Sequence, residues 1–299
     1  MDGPENMRED ALIETLLGHV PIVDDVAGPG DDCAVLHRGE GPLELLKTDA
    51  IVEGVHWTAG TTPKRIGWKA VARVISDFAA MGGKPKEFLI TLVIPRSTSI
   101  DWLIQLYQGI GACLNQYGGV VAGGETSSGP EGSPIVISVA ATGEVLSDHL
   151  TLRSGANAND MLFVTGKLGG SITGKHLDFK PRLKEAMWLT ECFRPTAMMD
   201  ISDGLAADLP RLAAASGCGV KFDRGRIPCS DGTGIEEALH DGEDYELLFA
   251  IQSEKVEALL KAWRKQFSDL SLTAIGKLCA KEKGMPLQGG WDHFSEPVS

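Results

Sequence analysis

The sequence predicts an α+β fold in two domains, and three observations carry that prediction. Its 299 residues exceed one compact domain, so two units of about 150 residues each are expected. Strand-period and helix-period segments follow one another without the strict alternation that a parallel α/β sheet requires. Apolar content of 43% with 23% charged residues allows a buried core in each half and excludes a mainly disordered chain.

A short helix over Met7 to Leu17 leads into the loop Gly28-Pro29-Gly30-Asp31-Asp32, with strands expected over Cys33 to Leu36 and Leu43 to Lys47. From Pro63 to Met81, the residues Ile66, Ala70, Val71, Val74, Ile75 and Phe78 fall on one helical face, and Gly82-Gly83 supplies the stop. A strand (Phe88 to Ile94), a helix (Ser99 to Gln116), a strand ending at Ala122, a loop at Gly123-Gly124-Glu125-Thr126 and a strand (Ile135 to Ala141) complete the first half. The boundary is placed near residue 146, which gives domains over 1–146 and 147–299. The second half reads as a strand (Met161 to Thr165), a helix (Arg182 to Thr190), the segment Met198 to Asp203, a helix (Gly204 to Ala215) and a strand (Gly219 to Phe222). It closes with a strand (Glu243 to Ile251), a helix (Glu254 to Gln266) and a strand (Leu272 to Lys277).

Charge narrows the partners. With 41 acidic and 28 basic residues the net charge is −13, which disfavours nucleic acid or an anionic membrane surface. Met1 to Asp10 is acidic and polar, so no secretory leader is expected, and the longest apolar run is strand-length. The six cysteines show no zinc-type spacing and read as reduced thiols, so cytoplasm is the expected location.

The chemistry lies in carboxylates. Lys47-Thr48-Asp49-Ala50-Ile51-Val52 and Met198-Met199-Asp200-Ile201 place an aspartate inside an apolar run, where it needs a partner if buried. Asp77 lies in the last turn of its helix, where the macrodipole is negative and a cation nearby relieves the cost. An all-oxygen donor set without a thiolate or histidine cluster suits Mg²⁺. Plain structural roles compete with this: a helix cap for Asp200-Ile201-Ser202-Asp203 and a polar turn for Gly242-Glu243-Asp244. Gly169-Gly170-Ser171-Ile172-Thr173-Gly174-Lys175 imitates a phosphate-binding loop, but His176 stands where a Ser or Thr would ligate magnesium.

In this order, Gly30-Asp31-Asp32-Cys33-Ala34, Thr48-Asp49 with Glu53-Gly54-Val55-His56-Trp57, Ser76-Asp77-Phe78-Ala79-Ala80-Met81-Gly82 and Gly123-Gly124-Glu125-Thr126 resemble the thiamine-monophosphate kinase family. Leu152-Arg153-Ser154-Gly155, Met199-Asp200-Ile201-Ser202-Asp203-Gly204, Gly242-Glu243-Asp244-Tyr245-Glu246-Leu247 and Trp291-Asp292-His293-Phe294 extend the resemblance over nearly the whole chain. It belongs to a superfamily that includes aminoimidazole ribonucleotide synthetase, selenophosphate synthetase and a hydrogenase-maturation protein. The resemblance implies a homodimer whose N-terminal domains build a shared barrel-like core, with the active site between the domains. It implies ATP and thiamine monophosphate as substrates and several Mg²⁺ ions on Asp32, Thr48, Asp49, Asp77, Glu125, Asp200 and Asp203, with Lys47 contributing its main-chain carbonyl. Gly124, Glu125, Arg153, Ser202 and Tyr107 are implied for ATP, and His56, Glu243 and Trp291 for thiamine monophosphate. No catalytic nucleophile from the protein is implied. Two positions depart from the pattern: Glu125 stands for the usual Asp, and Lys47 for the Ser or Thr common before Thr48-Asp49. A sister synthetase and a silent nucleotide-binding homologue are the alternative readings.

Overall fold

The computed structural model describes residues 8–292, so His293 and Phe294 of the closing motif lie outside the described residues. Two five-stranded sheets account for the strands. The first has the order β1-β2-β5-β3-β4 and is built from Ala34–Leu36 (β1), Leu43–Val52 (β2), Lys84–Pro95 (β3), Val120–Gly129 (β4) and Val136–Val145 (β5). All its pairs are antiparallel except β3 with β4, which are joined through the helix Ile100–Tyr117 (α3), the crossover that a parallel pair needs. The second sheet, antiparallel throughout, has the order β7-β9-β6-β10-β8, with Met161–Thr165 (β6), Ala197–Asp200 (β7), Cys218–Phe222 (β8), Leu247–Ile251 (β9) and Leu272–Ala280 (β10).

Side-chain alternation explains how each sheet is covered. In the first, Ile137, Val139, Ala141 and Val145 of β5 are buried with Phe88, Ile90 and Leu92 of β3, against Pro63–Ala80 (α2) and α3. Its other face carries Thr48, Ala50 and Leu89, all exposed. In the second sheet β6, β7 and β9 are buried on both faces, so these strands read as near-continuous apolar runs. Phe163, Met198, Leu247, Phe249 and Ile251 join the large core shared with the first half, while Leu162, Val164, Met199, Leu248 and Ala250 face a second core. That second core takes in Leu205–Ala215 (α5) and Ile235–His240 (α6). Leu183–Cys192 (α4) and Val256–Gln266 (α7) lie on the shared side.

Helix α2 touches both sheets, packing on β2 and β5 of one and on β7 of the other, with α4 alongside. It is buried almost throughout, which explains why its apolar positions extend beyond a single stripe.

Three expectations about elements change. Gly123-Gly124-Glu125-Thr126 is the middle of strand β4 rather than a loop. At Gly124 a Cβ would come within 1.9 Å of the Ile90 carbonyl oxygen, so the glycine serves close strand pairing. Strand β2 runs on to Val52, which puts Lys47, Thr48 and Asp49 inside a strand. The strand expected from Glu243 begins only at Leu247, because Glu243 (φ 53°) and Tyr245 (φ 51°) are left-handed and break the extended run.

Candidate active site

Helix α2 organises the site. Lys69, Arg73, Ser76 and Asp77 recur at helical spacing and so line one side of it, with Asp77 in the last turn as the sequence predicts. At the Asp77 end, carboxylate oxygens of Asp32, Asp77 and Asp200 lie within 4.8 Å of one another, and all three residues are buried. They come from the loop before β1, from α2 and from the end of β7. Ser76 Oγ donates to Asp200 Oδ2 at 2.5 Å.

Cations of the chain surround this cluster. Arg153 Nη2 reaches Asp32 Oδ1 at 2.6 Å, and its main-chain N–H donates to Asp31 Oδ1 at 2.7 Å. Lys47 Nζ lies 3.0 Å from Asp77 Oδ1 and 3.8 Å from Asp49 Oδ1, while Arg73 Nε is 3.9 Å from Asp49 Oδ2. Asp32 Oδ2 is buried with no hydrogen-bond partner among the described residues, a costly arrangement unless a cation meets it. Burial and the neighbouring Asp32 carboxylate push Asp200 up to about 7, against the Ser76 hydrogen bond. Burial, together with the Asp49, Asp200 and Asp32 carboxylates, drives Asp77 well above the usual range despite Lys47. Asp49 stays below it, because Lys47 and Arg73 outweigh the burial that would raise it. Three converging oxygen donors, two of them reluctant to ionise without a counter-charge, fit a hard divalent cation such as Mg²⁺.

At the Lys69 end a pocket opens, lined by His56, Arg73, Ser202, Asp203, Glu243, Tyr245 and Trp291 among others. The structure thus brings together the three residues singled out for thiamine monophosphate, His56, Glu243 and Trp291, with Ser202 and Asp203 beside them. Lys69, fully buried, donates to Glu243 Oε2 and to the His56 carbonyl, both at 2.7 Å. His56 Nδ1 accepts from the Val52 N–H at 3.0 Å.

The capping role for the Asp200 segment is not what the structure shows. Gly204 occupies the N-cap of α5, and Asp208, from inside the helix, accepts from the Ser202 and Asp203 N–H groups at 3.1 and 3.0 Å. Asp203 itself is paired with Arg211. Ser202 and Asp203 are thereby held at the pocket rather than consumed as caps.

Three nominated residues lie elsewhere. Tyr107 is exposed on α3, and Gly124 and Glu125 are exposed on β4, three strands away from β2 in the sheet order. Strand alternation also turns Thr48 onto the open face of the sheet, opposite to Lys47 and Asp49.

The glycine-rich loop after β6 has a ligand of its own. The Gly169 N–H donates to both oxygens of Asp244 at 3.0 and 3.1 Å, Ser171 Oγ to the same carboxylate at 2.5 Å, and the Gly170 N–H to Asp241 at 2.7 Å. Backbone N–H groups of the kind that cradle a phosphate here cradle a buried carboxylate.

Lys69, Arg73 and Tyr245 were not nominated from the sequence. For Lys69 and Arg73 a signal exists, since two cations four residues apart interrupt the apolar pattern of α2 and continue to Asp77 at the same spacing.

Residues 30–145 match the family model for the AIR synthase related protein N-terminal domain, and residues 145–285 the one for its C-terminal domain. The thiamine-monophosphate kinase of Buchnera aphidicola subsp. Schizaphis graminum is 32% identical over 90% of this chain and 93% of its own length. That of Rhodopirellula baltica is 34% identical over 91% of this chain and 90% of its own length. The solved structure of AaThiL complexed with AMPPCP and TMP superposes with a TM-score of 0.83 at 29% identity, covering 98% of this chain and 99% of that one. With two relatives above 30% identity along nearly their whole length and both domain models matched in order, the chain belongs to the thiamine-monophosphate kinase family of AIR synthase related proteins.

Proposed function

We propose that this chain is a phosphotransferase that uses ATP to convert thiamine monophosphate into thiamine diphosphate in the cleft along α2. The observation that carries this reading is the continuity of that helix. Asp77 at one end enters the carboxylate cluster, and Lys69, two turns earlier, holds Glu243 in the pocket. The names of the relatives carry the same activity, and the solved relative holds a nucleotide analogue together with TMP.

Asp32, Asp77 and Asp200, with Asp49 beside them, are the residues that would hold Mg²⁺, and Asp203 would hold a further ion near the pocket. When bound, magnesium supplies positive charge to the β- and γ-phosphates of ATP. Arg153 and Ser202 are assigned to the nucleotide. Trp291 offers an aromatic face to the cationic thiazolium, and Glu243 a carboxylate to the same positive charge or to the aminopyrimidine. Arg73, with a guanidinium between Asp49 and the pocket, brings a cation to the acceptor phosphate. An oxygen of that phosphate attacks the γ-phosphorus in line. The bond to the bridging oxygen breaks, and ADP leaves with the electron pair. The acceptor is already ionised at neutral pH, so the residues position and neutralise rather than attack.

A homodimer belongs to the same proposal. Strand β4 is a bare edge, Leu89, Val120 and Val121 are exposed, and Leu46, Leu89 and Ala140 line an apolar hollow on the open sheet face. Thr48 and Glu125 both face this side from strands three places apart, a span of about 14 Å. A second copy laid on this face supplies its Glu125, and with it Gly124 and Tyr107, to the site of the first.

Purified chain with ATP, Mg²⁺ and thiamine monophosphate, followed for thiamine diphosphate and ADP with and without EDTA, tests the activity. Equal amounts of both products, lost with the chelator, are expected. Nucleotide binding without product would overturn the reading.

A further inference from the structure

The carboxylate cluster contains a cation of its own. Strand alternation turns Lys47 toward the helix-covered face of β2, into the same layer as Asp49, and its side chain is only 20% exposed. Its ammonium lies 3.0 Å from Asp77 Oδ1 and 3.8 Å from Asp49 Oδ1. One charged group thus serves two carboxylates that approach from different elements, β2 and α2. A divalent ion bridging the same pair would use the same oxygens, and an ammonium and a metal ion cannot share that space: they compete for volume, and their charges repel. A serine side chain at this position would bring no charge there. Elsewhere the cluster is different, since Asp32 Oδ2 has no hydrogen-bond partner among the described residues and remains available to an ion.

We propose that the Lys47 ammonium is a built-in counter-ion that takes the place of one divalent cation between Asp49 and Asp77. Wild type therefore holds one ion fewer than a Lys47→Ser variant, and keeps Asp49 and Asp77 assembled when no metal is present. The inference rests on reading the cluster as a cation site and is independent of which phosphate is the acceptor.

The test counts bound Mn²⁺ per chain by equilibrium dialysis, with the full-length protein saturated with AMPPCP, in wild type, Lys47→Ser and Lys47→Arg. Lys47→Ser is expected to bind one more Mn²⁺ than wild type, and Lys47→Arg the same number as wild type. Thermal unfolding gives a second readout: in EDTA the Tm of Lys47→Ser falls below that of wild type by about 5 °C or more and returns with Mn²⁺, because Asp77 loses its buried partner. If Lys47→Ser does not fold in EDTA, the count in Mn²⁺ still decides. Equal counts in wild type and Lys47→Ser would overturn the proposal. The two readings fail separately, since a count difference without thiamine diphosphate formation sinks only the kinase reading, and equal counts with normal product sink only the counter-ion.

Discussion

Ser76 and Asp200 meet across 124 residues of sequence, hydroxyl to carboxylate at 2.5 Å, and tie α2 to the end of β7. This hydrogen bond favours the ionised carboxylate, whereas burial and Asp32 hold its pKa at about 7. In Ser76→Ala the pKa rises further, and protons compete better with metal at neutral pH. Mn²⁺ affinity at pH 7 is expected to fall by about 10- to 100-fold, the usual cost of losing a group that supports a ligand, and to recover by about pH 8.5. A loss of the same size at both pH values would show that Ser76 acts on packing instead.

Asp77→Asn removes one cluster carboxylate and keeps its shape. Thiamine diphosphate formation should drop by roughly 100-fold or more, as when a charge-stabilising group is deleted at a preorganised site. Circular dichroism should remain that of wild type, while the Tm falls because the buried Lys47 ammonium loses the nearer of its two carboxylates. Near-normal turnover would remove Asp77 from the metal set.

Burial pushes Lys69 down to about 8, with Glu243 pulling the other way. Below that pH the ammonium holds Glu243; above it the pair is lost. Between about 8 and the ordinary lysine value the unfolded chain binds the extra proton, so this group makes folding stability rise with pH while substrate binding weakens. The KM for thiamine monophosphate should therefore increase as pH passes 8. Lys69→Arg, which stays charged, should flatten that dependence; an unchanged profile would exclude Lys69 as its source.

Mixing two dead variants tests whether Glu125 acts across the proposed dimer. A dimer of one Glu125→Ala chain and one Asp77→Ala chain has one intact site of two, and random re-pairing makes half of the dimers mixed. Activity should recover to about a quarter of wild type. No recovery, with exchange verified by native mass spectrometry, would place Glu125 within its own subunit's site or outside any site.

Lys175 imitates a phosphate-binding lysine, yet its ammonium donates to the Lys167 carbonyl at 3.0 Å and lies 3.7 Å from Asp244. Lys175→Ala should change ATP affinity by less than about twofold, within the range of an exposed polar contact. A tenfold loss, measured by calorimetry, would return this loop to the nucleotide site.

Much of this site was legible because carboxylates inside apolar runs stand out. Asp49, Asp77 and Asp200 could be named from their neighbours alone, and the structure gathers Asp77 and Asp200 with Asp32. The helix over α2 was equally clear from its period. What escaped the sequence depended on backbone detail. The left-handed Glu243 and Tyr245 shorten a strand that residue type alone would extend. Gly123-Gly124 looked like a loop because glycine is a poor strand former, whereas here it admits a close parallel neighbour. Lys69 and Arg73 were not singled out, because a lysine and an arginine on a helix are ordinarily solvated, and the packing of a second sheet over α2 is what makes them interior.

Strand β4 has one further consequence, for biosynthesis. Its ten residues and their exposed edge are complete while more than half of the chain is still to be translated, an interval on the order of ten seconds. During that time the first sheet has no second sheet to cover α2, and its edge can template pairing with any strand it meets. Two nascent chains on one messenger are each other's nearest such strand. For the dimer proposed above, assembly at the ribosome, rather than between finished chains, would be the safest route past aggregation.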